Sequence, residues 1–142
     1  MLARVATAPI GLIEGISLFS DLDRRELRAV AESLSDRVFP AGSTIVQEGT
    51  SGLGFFVIES GTASVVVGGR ELRTIGPGDH FGEIALIADS PRTATITALT
   101  DIACYGMTVW DFRAIVESNA SIAWKLLQSL ARRLVEAELR AG

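Results

Sequence analysis

One cysteine and one histidine are all that the 142-residue sequence holds of the two residue types most used in metal centres and nucleophilic sites. A single cysteine, Cys104, excludes an internal disulfide and a cysteine-cluster metal site. Its place in the apolar run "DIACYGM" suits a buried, inert thiol. His80 alone is too little for a metalloenzyme built on a β-barrel, which needs two or three histidines and a carboxylate. The same scarcity removes a Ser/His/Asp or Cys/His catalytic set, and an iron–sulfur or haem centre. No catalytic residue, metal ligand or cofactor is assigned, and the expectation is a protein that is not an enzyme.

Long apolar runs are also missing: none reaches the ~18 to 20 residues that span a bilayer. The opening "MLARVATAPIGLIEGISLF" is interrupted by Glu14 and has no clear cleavage pattern, so residues 1–15 are expected to be a frayed lead-in. Excess positive charge is lacking too. Lys and Arg number 13 against 17 Asp and Glu, a net charge of −4, which argues against direct binding to a phosphate backbone. The two dense basic spots, "DRRELR" and "ARRL", sit on helical patterns with acids nearby and read as solvated helix faces. A soluble, cytoplasmic chain is expected, with no membrane span and no direct nucleic-acid binding.

What is present is apolar and periodic: 48% of residues are hydrophobic, enough for one packed domain over residues 1–142. In "DRRELRAVAESL", Asp23 and Glu26 have capping-box spacing, and Leu27, Val30, Ala31 and Leu34 form a helical stripe. From Val38 the period shortens. "RVFPAGSTIVQEG", "GFFVIESG", "TASVVV", "RELRTIGPGD", "TATITAL" and "DIACYGM" are short runs bounded by glycine, proline or aspartate, and Gly68-Gly69 suits a tight hairpin. After Thr108 the helical period returns, with Thr108 and Asp111 again at capping-box spacing. Trp110 and Trp124 fall at positions consistent with core or interhelix packing. From Asn119 to Arg140 a second helix carries Ala123, Leu127, Leu130, Leu134 and Ala137 in steps of 4, 3, 4 and 3, a stripe for the domain's own barrel or a partner helix. The fold class expected is α+β, mainly β: an antiparallel jelly-roll β-barrel flanked by an N-terminal helix and two C-terminal helices.

One stretch does not fit the strands around it. "DHFGEIALIADSPRTATIT" (Asp79 to Thr97) opens with a glycine and an acid and closes with an arginine and threonines. Gly82 lets backbone approach a ligand, and a short turn from Glu83 exposes N–H groups to an anion. Arg92 offers a planar cationic fork for a phosphate, with the Thr93 hydroxyl beside it. Glu83 accepts only, and so suits a ligand hydroxyl. Together these describe a ribose phosphate. The plainer alternative is a surface ion pair between Glu83 and Arg92, worth ~0 to 1 kcal/mol. His80 reads as a turn residue rather than a ligand.

"FGEIAL…SPRTAT" closely resembles the phosphate-binding cassette of cyclic nucleotide-binding domains, F-G-E-hydrophobic-A-L…R-[ST]-A. "LFSDLDRREL", "FPAGSTIVQEGTSG", "FFVIESGTASV" and "IGPGDHFGE" extend the resemblance from about Ile16 to Arg140. It implies that Glu83 accepts from a ribose 2′-hydroxyl, and that Phe81, Gly82, Glu83, Ile84 and Ala85 line the sugar and cyclic phosphate. It implies that Arg92 pairs with the exocyclic phosphate oxygens, assisted by Thr93 and the backbone up to Ala94. The base is expected under the last helix, residues 119–140, with Leu130, Arg132 and Arg133 as the contacts. Many members carry an acid in the turn corresponding to "EGTSGLG", where this chain has Thr50 and Leu53.

The expected ligand is therefore a cyclic purine nucleotide, cAMP before cGMP, bound by a regulatory module whose last helix closes over it. A homodimer or a partner protein is expected at that helix. Two alternatives stay open: the effector domain of a catabolite-activator-type transcription regulator without its DNA-reading part, or a non-binding interaction domain of the same fold.

Overall fold

Strand-forming alternation begins near Ser35, and the computed structural model, which describes residues 8–49, 54–88 and 92–141, changes from helix to strand there. Thr50 and Leu53, where the chain departs from the cassette family's pattern, lie outside the described residues, as do Ser90 and Pro91.

From Ala8 onward the lead-in is not frayed. Ile10–Ile13 forms a one-turn helix, α1, and a 3-10 turn follows at Ser17–Phe19. Ala8, Ile13, Ile16, Leu18 and Phe19 are all buried, while Glu14 faces water. Turns this short carry too few residues to display a period, which is why composition alone reads them as loose. Helix α2 (Arg24–Glu32) starts with a reciprocal capping box: the Asp23 and Glu26 side chains each accept the other's backbone N–H at 2.9 Å. Leu27, Val30, Ala31 and Leu34 are buried, as their spacing requires.

Eight strands follow among the described residues: β1 (Ser35–Phe39), β2 (Thr44–Val46), β3 (Gly54–Ser60), β4 (Ala63–Val67), β5 (Arg70–Ile75), β6 (His80–Phe81), β7 (Thr95–Ala98) and β8 (Ile102–Thr108). They form two four-stranded antiparallel sheets, ordered β1-β8-β3-β6 and β2-β7-β4-β5. The fold class is the expected one, although the sheets keep their edges and do not join into a closed barrel. Pro40, which has no N–H to give a ladder, ends β1, and the chain enters the second sheet at Thr44. Gly68 and Gly69 (φ +57° and +79°) supply the left-handed pair that a two-residue hairpin between β4 and β5 needs.

Strand β3 shows why "FFVI" is apolar throughout. Phe55 and Val57 belong to a core shared with the helices, whereas Ile58 and the half-buried Phe56 belong to the core between the sheets. The first sheet is thus a middle layer, covered on both faces. Cys104 lies in the inter-sheet core, where burial pushes its thiol up to about 11.

Helix α3 (Val109–Ser118) is capped by Thr108, whose hydroxyl accepts the Asp111 N–H at 3.1 Å. Helix α4 (Ala120–Ala141) buries Ile122, Leu126 and Ser129, with Leu130 at the edge of the core. The heptad-like stripe is one residue out of phase with that face. Leu127 and Leu134 are mostly exposed, and so are Trp110 and Trp124, which therefore fill neither the core nor a helix interface. Two apolar stripes run side by side on this helix, and a serine in the inward one disguises it.

Polar contacts also tie α4 to the N-terminal segment. Buried Glu26 accepts from the Ser121 hydroxyl at 2.7 Å and from Lys125 Nζ at 2.5 Å. Arg132 pairs with Asp21 at 2.6 Å, and the Ser129 hydroxyl donates to the Ser17 carbonyl at 3.0 Å. Burial alone would raise the Glu26 pKa, but the bonds from Lys125, the Asp23 N–H and Ser121 outweigh it and hold the carboxyl at about 2. A carboxyl depressed in the folded state stabilises fully above its unfolded pKa near 4.5, and that contribution fades as pH falls toward 2. Glu26→Gln is expected to lower Tm near neutral pH and to narrow the gap from wild type as the pH approaches 2. Thermal melts across that range check it; a gap independent of pH excludes the role.

Candidate functional site

Strand β6 ends at Phe81, and the chain swings through Gly82 into a 3-10 turn at Ile84–Leu86. Gly82 has φ +90°, and a Cβ there would collide with the Gly54 carbonyl oxygen and with Nη1 of Arg92. Only glycine lets these three groups meet. Arg92, arriving from the other end of the segment, fills the space: its Nη2 donates to the Gly54 carbonyl, and the residue is 8% exposed. Its Nε is buried without a partner, and no carboxylate pairs with it among the described residues. Burial pushes its pKa down, yet a guanidinium remains a cation. A buried cation with unspent donors and no counter-charge is costly unless an anion completes it.

Glu83 faces different partners. Its Oε2 lies 3.3 Å from His80 Nδ1, and its Oε1 is 3.8 Å from Arg133 Nη2 on α4. The His80 hydrogen bond, opposed by burial and aided by its own backbone N–H and the charges of His80 and Arg133, holds the carboxyl below the usual range. An ionised carboxylate only accepts, so His80 Nδ1 carries a proton. Glu83 and Arg92 do not pair with each other, which disposes of the plain ion-pair alternative. The turn sets a cation and a carboxylate on either side of Gly82, each oriented by a separate group.

The remaining expected residues are divided. Phe81 stacks at a tilt on Phe56, centroids 5.4 Å apart, and pins β6 to β3. Ala94 packs on the inter-sheet core, and Thr93 is exposed beside Arg92. Ile84 opens the 3-10 turn; the N–H of Ala85 is spent on the Gly82 carbonyl at 3.0 Å, and that of Leu86 on the Glu83 carbonyl at 3.3 Å. Of the three α4 residues, Arg133 reaches Glu83, with Nη1 buried and unpartnered. Arg132 reaches Asp21 instead, and Leu130 packs against the helical core. Sequence reasoning missed Gly54, whose link to Arg92 spans 38 residues and leaves no local trace. It also missed the His80–Glu83 bond, for which the three-residue spacing was the available signal. No group of three His, Cys, Asp or Glu side chains among the described residues could hold a metal ion.

A family model described as "Cyclic nucleotide-binding domain" matches residues 36–119, more than half of the sequence. The chain belongs to the cyclic nucleotide-binding domain family. Among its relatives within this family, a cAMP-dependent protein kinase regulatory subunit of Yarrowia lipolytica is 37% identical over 94 residues, covering 65% of this chain and 25% of that protein. The chain thus spans about a quarter of the length of such a relative. The N-terminal domain of a transcriptional regulator from Streptomyces coelicolor A3(2) superposes with a TM-score of 0.84 at 26% identity, over 92% of this chain and 95% of that one. The regulatory domain of Toxoplasma gondii PKA in complex with cAMP gives 0.67 at 28% identity, over 75% and 42%. Gly82, Glu83 and Arg92 all fall within the residues that the family model matches. No helix among the described residues is long and apolar enough to cross a membrane.

Proposed function

We propose that this domain is a non-catalytic regulatory module that binds a cyclic purine nucleotide, cAMP in preference to cGMP, and closes α4 over the base. The observation that carries the reading is Arg92, a buried cation with an unpartnered Nε beside a glycine that admits close approach. The cyclic phosphate supplies the missing anion, and the sugar 2′-hydroxyl donates to Glu83. The preference for cAMP is supported by the named regulatory subunits and the cAMP complex among the similar proteins. Closure is a population shift: Arg92 gains its full set of partners only when the ligand is enclosed, so the enclosed state gains the difference. Arg133, on the helix proposed to move, already reaches the ligand-side carboxylate.

A second reading keeps the same ligand and changes the output. The likeness to the N-terminal domain of a transcriptional regulator favours an effector domain of that kind. Parallel calorimetric titrations with cAMP and cGMP test the shared core of both. Binding of cAMP with the lower Kd is expected. No heat with either nucleotide at high micromolar concentration would leave a non-binding domain of the same fold.

A further inference from the structure

We infer that His80 is a positioning residue for Glu83: its ring N–H holds one carboxylate oxygen so that the other is presented to the sugar hydroxyl. The inference rests on the nucleotide reading above and deepens it. His80 Nδ1 is 3.3 Å from Glu83 Oε2, and the imidazole is itself held. It sits on β6 opposite Val57 of β3, and its ring lies tilted against buried Phe55 with centroids 6.0 Å apart. The ring therefore fixes the carboxylate rather than following it.

The competitor is visible. Arg133 approaches the other oxygen, Oε1, at 3.8 Å, too long for a hydrogen bond but close enough to draw the carboxylate toward α4. Without His80, Glu83 is free to turn fully to Arg133, and the acceptor needed by the ligand is consumed. Arg73 of β5 and Asp79 line, with Thr74, Ile75 and His80, a cleft of about 420 Å³.

The test is calorimetry on the whole chain with cAMP and 2′-deoxy-cAMP, comparing wild type, His80→Ala and His80→Asn. In His80→Ala, cAMP affinity is expected to fall about tenfold, the worth of one hydrogen bond to a charged group. Affinity for 2′-deoxy-cAMP, which has no hydroxyl to offer Glu83, should change less than about twofold, since the bond being positioned is absent. His80→Asn, whose amide can donate to Glu83, should recover most of the cAMP affinity. Equal weakening toward both ligands would reduce His80 to a structural role and overturn the inference. So would unchanged cAMP affinity in His80→Ala; if the alanine variant fails to fold, His80→Asn decides, and a weakening in it that is equal for cAMP and 2′-deoxy-cAMP overturns the inference. In each of these cases wild type still binds and the nucleotide reading stands. Wild type that binds neither ligand ends both.

Discussion

Arg92→Ala is expected to abolish cyclic nucleotide binding while leaving the domain folded. Among the described residues this guanidinium hydrogen-bonds a single backbone carbonyl and pairs with no carboxylate, so its removal strands one acceptor at Gly54 and lifts a buried, unpaired charge out of the core. Those terms oppose each other, and the change in unfolding free energy should stay within about 1 kcal/mol. Binding has no such compensation. Truncating one member of a desolvated charge pair costs about 2–5 kcal/mol, roughly 30- to 5000-fold in Kd. Thermal melts together with cAMP titration separate the two quantities. A melt close to wild type with unchanged affinity would remove Arg92 from the site. Arg92→Lys keeps the charge but loses the planar fork that reaches Gly54 and an anion together, so it should bind with intermediate affinity.

Gly82→Ala is expected to be damaging in both respects. The φ of +90° is a backbone conformation that side chains resist, and the new Cβ has nowhere to go, because the Gly54 carbonyl oxygen lies 2.6 Å from where it would stand and the Arg92 guanidinium is closer still. Strain of this kind costs about 1–3 kcal/mol before the steric overlap is counted. The carbonyl belongs to β3 and cannot retreat without breaking a ladder, so the arginine must give way, and nucleotide affinity falls with it. Gly68→Ala supplies the control. That glycine also has positive φ, at +57°, but a Cβ there meets nothing within 4 Å. It should lose about 1 kcal/mol in stability and nothing in affinity. If the two variants bind alike, the contact with Arg92 does not govern affinity, and backbone strain accounts for the loss of stability at Gly82.

Much of this was legible in the sequence because it was local. The capping box at Asp23–Glu26, the N-cap of Thr108 on the Asp111 N–H, the Gly68-Gly69 hairpin and the strand runs each depend on neighbours a few residues apart, and each stands where the pattern puts it. Gly82, Glu83 and Arg92 were picked out by residue type and by resemblance to the family, and the fold brings the Arg92 guanidinium against Gly82. What escaped depends on how distant pieces meet. Nothing near Arg92 in sequence points to Gly54. Nothing within α4 says that Ile122, Leu126 and Ser129 face inward while Leu127 and Leu134 face out, because both stripes have helical spacing. Arg132 and Arg133 are adjacent and chemically alike, yet the turn of the helix sends one to Asp21 and the other to Glu83. The lead-in was misread for a related reason: Ile13 and Ile16 are recognisable as core only once the sheet that covers them exists.

The straps between α4 and the N-terminal segment have a kinetic and a mechanical side. The Ser129–Ser17 and Lys125–Glu26 bonds join residues 112 and 99 positions apart, so each closes a loop that contains the whole pair of sheets. Chain entropy makes such closures late, and the strands must find their register before either end can be fastened. Once fastened, the two ends are tied together: the Asp21–Arg132 pair holds the N-terminal segment to α4 one residue before Arg133, whose guanidinium lies 3.8 Å from the Glu83 carboxylate.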